Sequence, residues 1–188
     1  MRVIDYQNSL RRLGWDTLAV DGKPGPQTER AVHDFQRAFA WYDIAVDGKP
    51  GPQTFAALNH CLARGGRVSA HFTFTEFRCK CGGRYRDCRR VHLTRELVRD
   101  LEAYRARIGR GVRIVSGYRC PSHNKAVGGA SRSRHLYGDA ADIDPVVHWT
   151  RVANMRLFGG LGYQGSTGRC RHVDERPVSP AHPTVWRY

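Results

Sequence analysis

The nine residues Val-Asp-Gly-Lys-Pro-Gly-Pro-Gln-Thr occur twice, at Val20–Thr28 and at Val46–Thr54, offset by 26 positions. A string this rich in turn formers cannot run through the middle of a helix or a strand, so each copy must be a bend that opens the next element. Asp-Gly supplies the turn, and the Gly-Pro step starts a helix with proline at an early position, where its missing N–H is tolerated. Helical segments follow at Glu29–Phe39 and Phe55–Leu62, and with Tyr6–Leu13 they make a three-helix unit over residues 1–64. The repeat residues are expected to act as caps and turns rather than as ligand contacts.

Beyond this unit the pattern changes. Ala63–Ala70 (ARGGRVSA) is short, polar and glycine-bearing, and reads as a hinge. His71–Phe77 (HFTFTEF) alternates as a strand entry does, and Leu93–Ile108 reads as a helix with Leu97, Leu101, Tyr104 and Ile108 at i, i+4, i+7 and i+11. Val112–Ser116 is a short β-prone run that ends at a Gly117 turn, which places Arg119 on a loop just beyond a strand. The whole reads as α+β: a small three-helix domain at 1–64, then a mixed α+β domain at 71–188 with an antiparallel sheet.

The chain has 188 residues, enough for two small domains, and no apolar run long enough for a membrane span. Its net charge of +14 is uneven: residues 1–64 carry eight basic and seven acidic side chains, the rest 23 and ten. The second part therefore attracts anionic polymers. No helix-turn-helix, zinc-finger spacing or aromatic RNA-binding signature accompanies the charge, so a nucleic-acid partner is not expected.

The segment Ser133–Asp142 (SRHLYGDAAD) carries the chemistry. His135 and Asp142 offer an imidazole nitrogen and a carboxylate oxygen, Gly138 lets the chain bend between them, and Ala140 and Ala141 leave room beside an ion. A third ligand is available in Cys170–Asp174 (CRHVD), where strand alternation would put His172 and Asp174 on one face and Glu175 on the other.

These residues resemble the zinc D-Ala-D-Ala carboxypeptidase and murein endopeptidase family, whose metal motif S-x-H-x-x-G-x-A-x-D is matched by Ser133, His135, Gly138, Ala140 and Asp142. The family's G-[YF]-R turn and N-x-x-V-G-G-A stretch are matched by Gly117, Tyr118 and Arg119, then Asn124, Val127, Gly128, Gly129 and Ala130. The resemblance covers about residues 72–176 and is nearest to the Streptomyces-type secreted enzymes, of the hedgehog-like metallopeptidase fold. It implies Zn2+ held by His135, Asp142 and His172, with Arg119 stabilising the oxyanion or anchoring substrate and Ser133 contacting it. A zinc so held acidifies a water and polarises the scissile carbonyl. Residues 1–64 resemble the peptidoglycan-binding domain found beside wall hydrolases.

The implied activity is hydrolysis of amide bonds in peptidoglycan stem peptides, foremost at the D-Ala-D-Ala terminus. The alternatives are a murein endopeptidase acting as a phage-type endolysin, and a noncatalytic wall-binding module. The expected partners are peptidoglycan peptide and glycan, met by a monomer outside the cell or at its wall. The opening MRVIDYQNSLRRLGW lacks the apolar core of an export signal, so removal of a leader or release by phage lysis is expected.

Relatives often carry an acidic residue three positions before the third ligand, where this chain has Arg169. Asp174 is then the available base, or else a partner that orients a ligand; His148 and His182 are weaker candidates for proton transfer. The six cysteines allow fifteen pairings. The C-x-C-x6-C spacing of Cys79, Cys81 and Cys88 lacks the paired C-x2-C of common structural zinc sites, so disulfides are expected. Comparison with secreted relatives implies a bridge from Cys120 to the 79–88 loop.

Overall fold

The computed structural model describes residues 1–188 and builds the first part from α1 (Val3–Leu13), α2 (Pro26–Ala38) and α3 (Pro52–Ala63). Both repeat copies open a helix, with Pro26 and Pro52 in the first turn. Each copy is clamped by a buried glutamine. Gln7 Nε2 lies 2.9 Å from Asp21 Oδ1, 3.1 Å from the Lys23 carbonyl and 3.1 Å from Thr28 Oγ1, and Gln7 Oε1 accepts from the Gly22 N–H at 2.9 Å. Gln36 repeats this on Asp47 (2.9 Å), the Lys49 carbonyl (3.0 Å), Thr54 (2.9 Å) and the Gly48 N–H (2.8 Å). The repeated string is thus a pair of turns wrapped on amides, and a shorter echo, Asp5-Tyr6-Gln7 and Asp34-Phe35-Gln36, carries the clamps.

His71–Phe77 does not form the expected strand. Thr73 and Glu76 close a reciprocal cap, the Thr73 N–H donating to Glu76 Oε2 at 2.7 Å, and the chain turns into a 3-10 helix at Phe74–Phe77. Phe77 breaks the period of two, so Phe72, Phe74 and Phe77 all bury in one core. Helix α4 (Arg95–Ile108) starts at Thr94, whose Oγ1 accepts from the Leu97 N–H at 3.4 Å, and ends at Gly109 in the left-handed region.

Five strands follow: β1 (Arg113–Ser116), β2 (Ala140–Asp144), β3 (Gly160–Gln164), β4 (Arg169–Asp174) and β5 (Thr184–Arg187), with short helices α5 (Pro121–Ala126) and α6 (Trp149–Asn154) between them. The sheet order is β1-β2-β4-β3-β5. All pairs are antiparallel except β3 with β5, so the expected antiparallel sheet gains one parallel edge strand.

A single apolar core runs through both parts. Trp15 and Phe35 approach Phe74 with ring centroids 5.5 and 5.6 Å away. The segment expected to be a hinge is packed instead: Val68 is fully buried, its carbonyl accepts from the Ala40 N–H, and the Arg67 carbonyl accepts from Trp41 Nε1 at 3.1 Å. Buried Asp34 on α2 receives two hydrogen bonds from Arg89, at 2.7 and 2.9 Å.

No two of the six cysteines are bonded to one another in this structure, so the expected disulfides are not seen. Cys61 and Cys170 are sealed in the core, where burial pushes each thiol up to about 12 and leaves it unreactive. Cys79, Cys81, Cys88 and Cys120 gather in one cluster, with Cys120 against the 79–88 loop as expected but at sulfur separations too long for a bond. No helix is long and apolar enough to cross a membrane.

Candidate metal centre

Strand register sets two of the expected ligands side by side. Asp142 on β2 stands opposite His172 on β4, and His135 comes from the 3-10 turn Arg134–Leu136 just before β2. Gly138 makes the bend between them at φ 72, and any side chain there would collide with the His92 carbonyl. The motif therefore folds as its composition requires.

His135 Nε2 lies 3.1 Å from His172 Nδ1 and 3.3 Å from Asp142 Oδ1, and His172 Nδ1 lies 3.0 Å from the same oxygen. Ligands at about 2.0–2.1 Å from a tetrahedral ion stand about 3.3 Å apart, so the triangle has the size that one zinc would span. The outer nitrogens are held from behind. His135 Nδ1 donates to the Gly117 carbonyl at 2.6 Å, and His172 Nε2 donates to Asp174 Oδ2 at 3.1 Å. In neutral rings the protons occupy those outer positions, and the inner lone pairs converge with that of the carboxylate on one point, as a cation requires.

Arg119 follows β1 and reaches the same group: its Nη2 donates to Asp142 Oδ2 at 2.7 Å and its Nε to Ser116 Oγ at 3.2 Å. Its backbone N–H donates to the His135 carbonyl, which ties the two motif loops together. Ser133 sits at the start of the His135 turn without using its hydroxyl as a cap, and it lines the cleft. Asp174 is fully buried. Arg176 grips it from Nε at 2.9 Å and Nη2 at 2.7 Å, and the Arg176 N–H adds a bond at 3.0 Å. Gly160 on β3 makes room for this pair, since a Cβ there would strike both Asp174 Oδ1 and Arg176 Nε.

Electrostatics follow the geometry. Burial opposes ionisation of Asp142, yet its bonds to His135 and His172 outweigh it and hold the carboxyl well below the usual range. Asp174 is held low in the same way: burial is overcome by Arg176 and His172. Burial pushes the His135 ring down, whereas His172, equally buried, is raised by its two carboxylate neighbours. Both carboxylates are thus ionised at neutral pH.

Around the triangle opens a cleft of about 700 Å³, lined by Arg119, Arg132, Arg134, Arg171 and Arg176 and by only two carboxylates, Asp142 and Asp174. Three contributors escaped the sequence reading. The Gly117 carbonyl acts through backbone and leaves no side-chain signal. Arg176 continues the alternation two residues past Asp174 and could have been noticed. Trp186 on β5 packs over His172 with ring centroids 5.2 Å apart, and the Arg176 guanidinium lies 4.4 Å from the Trp186 ring. Arg169, His148 and His182 stay outside the cleft: Arg169 is exposed at the start of β4, His148 Nδ1 faces Thr150 Oγ1 at 2.9 Å, and His182 sits in an exposed turn.

Comparison with known proteins finds matches along both parts of the chain. A family model described as "Putative peptidoglycan binding domain" matches residues 2–58, and one described as Peptidase M15 matches residues 70–174. The zinc D-Ala-D-Ala carboxypeptidase of Streptomyces albus G is 37% identical over 131 residues, which are 67% of this chain and 50% of that protein. The chain spans about half the length of that relative. The M15 match covers more than half of the chain and runs through Arg119, both motif loops and the β4 histidine, and the chain belongs to the peptidase M15 family.

Proposed function

We propose that this chain is a zinc metallopeptidase that hydrolyses amide bonds of peptidoglycan stem peptides, foremost the D-Ala-D-Ala terminus. The observation that carries this is the triangle of His135 Nε2, Asp142 Oδ1 and His172 Nδ1, sized for one tetrahedral ion and open to a cleft. Three protein ligands of nitrogen and oxygen type suit zinc and leave its fourth position free. When bound, zinc supplies a Lewis acid that polarises the scissile carbonyl and lowers the pKa of a water beside it.

The chain's own residues divide the remaining work. Arg119 holds a fixed charge beside Asp142, where it can stabilise the oxyanion of the tetrahedral intermediate. Arg132 and Arg171 are exposed on the cleft and offer a stem peptide's terminal carboxylate an ionic anchor, with Ser133 as a polar contact. Asp174 serves as the positioning residue of His172: both its oxygens are engaged and it is sealed from water, which suits orientation better than proton transfer. Trp186 shields that pair from solvent.

Residues 1–64 are the wall-binding part and 71–188 the catalytic part of a chain that acts as a monomer, a reading supported by a site that needs no residue from a second copy. The site of action is the cell wall, reached from outside the cell or by a lysin from within. Mass spectrometry of soluble wall peptides, with and without chelator, tests the reading. Release of D-alanine from a pentapeptide, abolished by chelation and restored by zinc, is the expected result. Cleavage of cross-links alone would assign an endopeptidase instead, and no cleavage with zinc bound would leave a wall-binding module.

A further inference from the structure

The second cluster of metal-type side chains lies outside the cleft. Cys79, Cys81 and Cys88 from one loop and Cys120 from the start of α5 place their four sulfurs within 4.8 Å of one another. Cys79 Sγ and Cys120 Sγ are 3.8 Å apart, and Cys120 Sγ and Cys81 Sγ 4.0 Å. A disulfide needs about 2.05 Å. Four thiolates about 2.3 Å from a tetrahedral zinc stand about 3.8 Å apart, close to the separations of 3.8 and 4.0 Å that Cys120 makes with Cys79 and Cys81.

The surroundings are built for negative sulfur. The Cys120 N–H donates to Cys79 Sγ and the Arg90 N–H to Cys88 Sγ, each at 3.4 Å. Arg90 is buried against the cluster and donates from Nη1 to the Cys79 carbonyl at 2.7 Å, and Lys80, Arg84, Arg86 and Arg89 come from the same loop. Arg89 and Arg90 are paired with Asp34 and Asp16, so Lys80, Arg84 and Arg86 are the cations of the loop left to offset the net charge that four thiolates leave on a divalent ion. Gly82 and Gly83, at φ 67 and 82, turn the chain sharply after Cys81. Residues 79–90 hold no regular helix or strand, the kind of segment that needs a tie to keep one shape.

We propose that Cys79, Cys81, Cys88 and Cys120 form a second, structural zinc site with no open position. Its task is to position the catalytic loop. Cys120 directly follows Arg119, and Asp87 of the same loop accepts from both the N–H and the hydroxyl of Ser122 at 2.9 Å. An ion gripping Cys120 therefore anchors the segment that carries Arg119. The thiols must be reduced when the ion enters, and deprotonate as they bind it.

Metal counting on the intact chain, purified under reducing conditions, tests this apart from the histidine site. The parent should hold two zinc ions and His135→Ala one. In His135→Ala, a mercurial that titrates four thiols should release that ion. Cobalt in place of zinc should give the intense sulfur-to-cobalt charge-transfer absorption of a tetrathiolate, unchanged by His135→Ala and lost in Cys88→Ser. Failure of the histidine site alone would leave one zinc in both parent and His135→Ala. A folded His135→Ala without zinc, iron in place of zinc, or disulfides among these four cysteines in protein purified with reductant would overturn the proposal; the cobalt spectrum of the parent decides even if Cys88→Ser does not fold.

Discussion

His172 and Asp174 lie two residues apart on β4, face the same side, and meet through His172 Nε2 at 3.1 Å, which turns Nδ1 towards His135 and Asp142. Strand alternation thus packs the proposed ligand and the carboxylate that would orient it into three residues. Arg176, one more step along the same alternation, completes the chain from guanidinium to carboxylate to imidazole.

Asp174→Asn should weaken zinc binding by about 10–100-fold, because the amide no longer holds the imidazole proton on Nε2 as a carboxylate does. Activity should return with excess zinc. Zinc titration of the apo-protein followed by peptide hydrolysis checks this, and a collapse of kcat at full zinc occupancy would make Asp174 the proton acceptor instead.

Arg119→Ala removes the charge that sits 2.7 Å from Asp142 Oδ2. A loss of about 10²–10³-fold in kcat/KM, carried mainly by kcat, is expected for an oxyanion role with zinc content retained. A rise in KM with kcat unchanged would instead assign Arg119 to ground-state anchoring.

Glu175 points away from the metal triangle towards Asp100, and its Oε1 is buried without a hydrogen-bond partner. Burial first, then Asp100 and Asp174, push its carboxyl up to about 8. Between the ordinary carboxylate range and about 8 the folded chain keeps a proton that the unfolded chain has lost, so stability falls as pH rises through that window. Glu175→Gln should flatten this slope and stabilise the chain at pH 8 by on the order of 1–2 kcal/mol. Chemical denaturation at pH 5 and pH 8 measures both; an unchanged slope would show that Glu175 ionises freely.

Phe74→Ala should cost about 3–5 kcal/mol, since it empties the contact with Trp15 and Phe35 at the junction of the two parts. Calorimetry of the parent should show one cooperative transition, because the core is continuous. Two separated transitions, with only one shifted by Phe74→Ala, would mean that the parts fold independently.

Much of this molecule was legible in the chain because the signals were local. Turn chemistry in the nine-residue repeat dictated where α2 and α3 begin, the period of α4 was readable from its leucines, and Gly138 with the small residues of the motif specified a bend that could bring His135 towards Asp142. Alternation alone paired His172 with Asp174. What tertiary structure decided was everything that depends on segments distant in sequence coming into register. Only packing sets Asp142 opposite His172 across β2 and β4, aims the Gly117 carbonyl at His135 and lays Trp186 over His172. Packing also clamps each repeat on Gln7 or Gln36, and turns His71–Phe77 from an apparent strand into a capped turn because three phenylalanines must reach one core. The cysteines show the limit most sharply: spacing within residues 79–88 argued against a metal, and the fourth thiol, Cys120, is contributed from about 30 residues further on by a chain that returns to the loop only when the protein folds.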